Sequence, residues 1–209
     1  PHMDWYNRQM TRDGLVPGGV GSQIYDAADQ GLIPADVAPE MIRAFLRAGM
    51  DSTIGSISGA LRYLALDPKQ WDALHADPGK ARAAFDEATR LESPVSISYR
   101  KTSRDAELSG YAVPAGSKVG VWFGSANRDP RRWENPDVFD LERNTMGHMG
   151  FGDGLHVCIG LNIARMEGEV ILATLAKRYK RLELNGEPRY KAANALHALK
   201  SLPLRLVRA

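Results

Sequence analysis

Apolar residues recur at three- and four-residue spacing from residue 4 to about residue 91, the period of helices that bury one face. Breaks in that spacing mark where elements end. Residues 4–13 read as a helix, and VPGGVG, 16–21, as a loop. Residues 22–30 give a short helix that Gly31 ends. The longest helix runs over about 39–66, from Pro39 to Leu66, since proline is well tolerated in a first helical turn. Asp67-Pro68 stops it, and KQWDALHAD makes the next. A further helix over about 79–91 has to finish before Pro94, because the residue preceding a proline disfavours the α region.

From 95 to 123 the pattern becomes alternation. VSISYR and AELSGYAVPAGSKVGVWF read as short strands joined by a Pro-Ala-Gly turn. Residues 124–150, containing RDPRRWENPD, form a long connection with aromatic plugs at Trp133 and Phe139, and long connections in compact domains are often functional. Helical spacing returns over 159–180, and 182–207 alternates weakly as short strands. The expectation is a mainly α fold with small β-sheets, a single unit over residues 1–209.

Composition narrows the function classes. Apolar residues make up 44% and charged residues 25%, as in ordinary globular proteins. A net charge of +2 gives no case for nucleic acid or a membrane surface. No apolar run approaches the ~20 residues that span a bilayer. The opening PHMDWYNRQM lacks the apolar block of a signal peptide. Cys158 is the only cysteine, so no internal disulfide can form, and a cytoplasmic location is expected.

That cysteine sits in FGDGLHVCIG, 151–160. Gly152 and Gly154 allow tight turns and a close backbone approach, and Gly160 lets the chain enter the next helix. Cys158 therefore lies at a helix N-terminus, where free amides and the positive dipole end favour thiolate. A free cysteine is commonly a small buried hydrophobe. As a nucleophile it would need a base, and His156 is two residues away. Zinc takes four ligands, and His148, His156 and Cys158 supply only three at unfamiliar spacing. One thiolate among glycines suits a single axial bond to a flat iron macrocycle.

FGDGLHVCIG resembles the haem-binding signature of the cytochromes P-450, Phe-Gly-x-Gly-x-His-x-Cys-x-Gly, with each fixed position present. The likeness continues into the following helix at Ala164, Arg165 and Glu167, and it is to the soluble bacterial branch. The resemblance extends over residues 20–209 and implies the C-terminal half of that fold, since members of the family are much longer. It implies haem b with iron bound axially by Cys158, and Phe151, Gly152, Gly160 and Ala48 against the ring. In DEATRLESP, Glu87 and Arg90 share a helix face. By itself that is an ordinary ion pair, and the resemblance implies that Arg143, in FDLER, completes a buried structural network with it.

In AGMDST, 48–53, poor helix-interior residues lie in the middle of the longest helix. The apolar neighbours Met50, Ile54 and Ile57 suggest that part of this polar cluster is enclosed. Hydroxyls bonding back to the preceding turn would loosen the helix into a notch. The resemblance implies that Asp51, Ser52 and Thr53 relay protons on the distal side, with Ser52 standing where threonine is usual. It implies that Arg100, His148 and His156 pair with the haem propionates, and that Ala44, Arg47, Ile97 and Ser98 line the substrate pocket. Arg47 lies one turn before Asp51 and is a candidate partner for an acidic substrate.

The implied function is a monooxygenase that inserts one atom of O2 into a small organic substrate, an aromatic acid being the nearest class. Electrons would come from a ferredoxin and its reductase. The competing expectation is a truncated haem-binding fragment with little activity, or only peroxide-driven activity.

Overall fold

Asp67 ends the longest helix and starts the next. Its side chain accepts from the Lys69 amide at 3.0 Å, and Pro68 occupies the first helical position, where no amide is needed. The computed structural model describes residues 2–208. Its helices are α1 (His2–Arg8), α2 (Val20–Asp29), α3 (Val37–Leu66), α4 (Pro68–Ala76), α5 (Ala81–Glu92), the short α6 (Phe123–Ala126) and α7 (Leu161–Arg178). Strands β1 (Ile97–Lys101), β2 (Ala106–Leu108), β3 (Tyr111–Val113) and β4 (Lys118–Trp122) follow α5, and β5 (Tyr179–Leu184), β6 (Arg189–Tyr190), β7 (Leu199–Ser201) and β8 (Leu204–Arg208) follow α7. The fold is mainly helical with small sheets. No helix among the described residues is long and apolar enough to cross a membrane.

The packing divides the chain within α3, into one compact unit up to Met50 and a second from Asp51. The sequence reading expects a single unit over residues 1–209. An unbroken helix hides the division, because helical spacing reports burial and not which neighbours supply it. In the first unit, Met10, Ile24, Ala38 and Ile42 are buried together.

The second unit is built around α5, whose residues from Ala84 to Glu92 are all buried. It packs against α7 closely enough that a Cβ on Gly168 would stand 2.1 Å from Phe85 Cδ2. Phe85, Leu172 and Ala176 are fully enclosed there, and burying a side chain such as Phe85 contributes ~1.5–3 kcal/mol. Trp71 of α4 joins the same core and donates its indole N–H to the Lys180 carbonyl at 3.0 Å.

Helix α5 ends at Ser93, which adopts a left-handed conformation at φ 41°. Its hydroxyl donates to the Arg90 carbonyl at 2.8 Å and accepts from Asn127 Nδ2 at 2.8 Å, so the strained residue is held from both sides. The chain turns there into β1, which pairs antiparallel with β4 in the register Ile97↔Trp122 to Lys101↔Lys118. Strand β5 pairs with β8, β2 with β3 and β6 with β7, all antiparallel. A bridge between Val95 and Leu196 brings the loop before β7 against the chain entering β1.

Candidate functional site

The cysteine loop is built from two single turns. Residues Met149–Phe151 and Gly154–His156 each make one 3-10 turn, separated by Gly152 at φ 71°. A Cβ at Gly152 would stand 3.0 Å from the His156 carbonyl oxygen, so both the dihedral and the close approach select glycine. The Cys158 amide donates to the Phe151 carbonyl at 2.8 Å, closing the loop. Gly160 is the N-cap of α7, so the thiol precedes the helix and is partly exposed. Leu155 is 102% exposed and Ile159 82%, and they flank the thiol with Val157 at 50%.

Beneath this loop lies a buried ionic network. Arg90 holds Glu87 bidentately, Nε to Oε2 at 2.8 Å and Nη2 to Oε1 at 2.8 Å. Arg143 Nε donates to the same carboxylate at 3.0 Å, and the Asp140 amide adds a fourth donor at 3.1 Å. Arg90 Nη1 donates onward to the carbonyls of Asn127 and Pro136, at 2.7 and 2.8 Å. Glu87 and Arg90 are completely buried, and the guanidinium of Arg90 stands 5.2 Å from the Trp133 ring. The network thus pins the long 124–150 connection to α5. Burying these charges is tolerable because each has several partners.

The propionate candidates lie in different surroundings. His156 is exposed. Arg100, on β1, donates to Ser98 Oγ at 2.8 Å and to the Tyr99 carbonyl at 2.9 Å, which ties two candidate residues to each other. His148 is only 9% exposed and packs edge-on to Phe151, with ring centroids 5.5 Å apart. Its Nδ1 accepts from the Gly150 amide at 3.2 Å, and its Nε2 is buried without a partner among the described residues. Burial holds the imidazole below its ordinary pKa, opposed by the negative charge of Asp86. His148 lines a cavity of about 530 Å³ with Arg82, Asp86, Phe151, Leu161 and Arg165. Cys158 is not among its lining residues. Arg165 Nε donates to Asp86 Oδ1 at 2.8 Å across that space.

Helix α3 runs unbroken through Asp51–Thr53, so the expected loosening there is absent. Within the same helix the Ser58 hydroxyl bonds back to the Ile54 carbonyl at 2.6 Å. Part of the polar cluster is enclosed as expected, at Thr53, but not beside the apolar neighbours that suggested it. Met50 and Ile54 are 56% and 55% exposed, whereas Thr53 and Ser56 are buried. Thr53, Ser56, Ala60 and Leu64 follow helical spacing onto the core face, and Met50 and Ile54 fall outside it. Asp51 pairs with Lys191 Nζ at 3.0 Å, with both side chains half-exposed. Sequence reading missed that partner, because 140 residues separate the two and no local signal links them.

Ala44, Arg47 and Ala48 are exposed positions of α3 in the first unit. Ile97 is buried and Ser98 half-buried at the start of β1, in the second unit. Among the described residues no group of three or more His, Cys, Asp or Glu side chains could hold a metal ion. The thiol, the exposed apolar side chains beside it and the glycine turns instead fit a flat apolar ring carrying its own metal.

Comparison with known proteins agrees with that fit. The cytochrome P-450 family model matches residues 80–205. The chain is 46% identical to cytochrome p450 CYP199A2 of Rhodopseudomonas palustris, over 99% of this chain and 50% of that one. It is 38% identical to linalool 8-monooxygenase of Pseudomonas putida, over 78% of this chain and 40% of that one. Among solved structures, the tirandamycin C-bound P-450 monooxygenase TamI superposes with a TM-score of 0.88 at 29% identity, over 98% of this chain and 53% of that one. The chain spans about half the length, or less, of the curated relatives it matches. It belongs to the cytochrome P-450 family, whose members carry haem.

Proposed function

We propose that the protein is a cytoplasmic haem-thiolate monooxygenase that inserts one oxygen atom of O2 into a small organic substrate. The observation that carries this reading is Cys158, a partly exposed lone thiol on a glycine-shaped loop at the mouth of α7, with exposed apolar side chains on both sides. Bound haem would supply dioxygen activation and oxygen transfer, and the Cys158 thiolate would hold its iron. The roles of the remaining residues are those that membership of the family suggests. Phe151, Gly152 and Gly160 would shape the loop against the ring. Arg100, His148 and His156 are the donors available to the two ring carboxylates.

On the distal side Asp51 is half-exposed, so it can exchange a proton with water and pass it along the Ser52 and Thr53 hydroxyls. The buried Glu87 and Arg90 and the partly buried Arg143 touch no reacting atom and act by holding the connection that leads to the cysteine loop. Ile97 and Ser98 would face substrate from β1, and Arg47 of α3 would favour a carboxylate. An aromatic acid is therefore the substrate class, and a ferredoxin with its reductase is the electron source.

The test is turnover of a panel of substituted benzoates under labelled dioxygen. The expected result is a hydroxylated product carrying one labelled oxygen when reduced ferredoxin is supplied. Product with peroxide alone would leave a peroxide-driven oxidant in place of this reading. No product under either condition would leave a haem-binding fragment.

A further inference from the structure

We propose that Glu92 and His197 form a positioning pair that fixes the 195–197 segment against the chain entering β1, and so sets the wall containing Ile97 and Ser98. The inference rests on the reading above that those two residues face substrate. The pair itself rests on geometry. Glu92 ends α5 with its side chain 1% exposed. Its stem crosses α3 at Gly59, where a Cβ would stand 2.3 Å from Glu92 Cγ, so α3 admits the carboxylate only because that position is glycine. His197 Nδ1 lies 3.1 Å from Glu92 Oε2 and 3.0 Å from the Glu92 carbonyl oxygen. One imidazole N–H therefore serves both the side chain and the backbone at the end of α5.

The same two segments are laced by backbone bonds. The His197 amide donates to the Pro94 carbonyl at 2.8 Å, and the Ser96 amide to the Ala195 carbonyl at 3.1 Å. Val95 and Leu196 bridge between these bonds. The Tyr190 ring stacks on His197 at 4.5 Å, and its hydroxyl reaches both carboxylate oxygens at 3.4 Å. Two residues after Ser96, Ser98 accepts the Arg100 hydrogen bond. A shift of the laced segments is thus transmitted directly into β1.

The charged and titratable groups facing the pair come from every side. Arg62 Nη1 is 4.0 Å from Glu92, and the Tyr63 hydroxyl hydrogen-bonds to it, both from α3. Arg128 adds positive charge from the long connection. Burial alone would push the Glu92 carboxyl up, but the hydrogen bonds from His197 and Tyr63 outweigh it and hold it below its ordinary value. The hydrogen bond to Glu92 raises the His197 imidazole, against a smaller opposing effect of burial. The pair is charged on both sides through mildly acidic pH, and it loses the imidazolium charge as pH rises through the raised His197 value.

The test is amide hydrogen exchange at Ser96 and His197 across that pH range, in the wild type, His197→Gln and Glu92→Gln. Protection factors in the wild type should fall about threefold as the imidazole deprotonates, a modest change because solvent screens a half-exposed partner. In His197→Gln, a change at a half-exposed position that the fold tolerates, protection should sit at the high-pH level throughout. A wild-type protection that ignores pH, or one that His197→Gln leaves intact, would overturn the pairing. In turnover, KM should rise with pH in the wild type and lose that dependence in His197→Gln, with kcat unchanged. A kcat effect with constant KM would overturn the positioning role. If turnover is absent altogether, the functional reading fails while exchange still decides the pair.

Discussion

Glu87 and Glu92 lie five residues apart on α5, each with its side chain 1% exposed, and each is held in a different way. Glu87 has two guanidinium partners, one of them bidentate, and these stay charged at every accessible pH. Glu92 has an imidazole and two phenols close by, with a guanidinium only at 4.0 Å. The first arrangement is a fixed rivet between α5 and the connection leading to the cysteine loop. The second can be loosened by the loss of one proton from His197. A single helix thus carries a permanent joint toward the cysteine loop and an adjustable one toward the chain entering β1.

The sharpest way to break this comparison is Glu87→Gln against Glu92→Gln. Leaving Arg90 buried without its counter-charge should cost ~3–5 kcal/mol. Glu92→Gln removes hydrogen bonds to a charged group and should cost ~1.5–3 kcal/mol. Denaturant midpoints at constant slope would rank the two, and equal losses would erase the distinction. Arg90→Lys keeps the charge but abandons the bidentate fork and the carbonyl bonds, and a loss of ~2 kcal/mol is expected by the same measurement.

The two histidines sharpen the comparison through pH. His148 is held below its ordinary value of 6.5 by burial, so the unfolded chain binds the proton more readily and stability falls as pH drops below that value. His197 is raised by its bond to Glu92, so its contribution is complete below 6.5 and is lost as pH climbs through the raised value. His148→Phe should flatten the acid limb of a thermal-stability profile, and His197→Gln the alkaline limb, the latter by ~0.5 kcal/mol after screening. Smallest of all is Lys191→Ala. Its half-exposed pair with Asp51 should contribute ~0–1 kcal/mol to thermal stability.

Much of this architecture could be read from the chain. Prolines and helical spacing bound α3, α4 and α5 closely, and Glu87 and Arg90 share a face by arithmetic alone. The glycines around Cys158 announced a shaped loop. Glu92 gave no such signal. It stands beside the motif, yet its partners Tyr190 and His197 lie 98 and 105 residues away, joined only by tertiary packing. The carbonyls of Asn127 and Pro136 that complete Arg90 are backbone groups, which no side-chain pattern reveals. At 51–53 the expected partial enclosure is there, at Thr53, but Met50 and Ile54 are apolar by type and fall outside the core face of α3.

The central claim is that Cys158 binds haem iron as a thiolate. The most direct measurement is the absorption spectrum of the dithionite-reduced, haem-loaded protein under carbon monoxide, with Cys158→Ala alongside. A strongly red-shifted Soret band that the variant loses is the predicted result. An unshifted band in the wild type, or a shifted band that survives in Cys158→Ala, would contradict it.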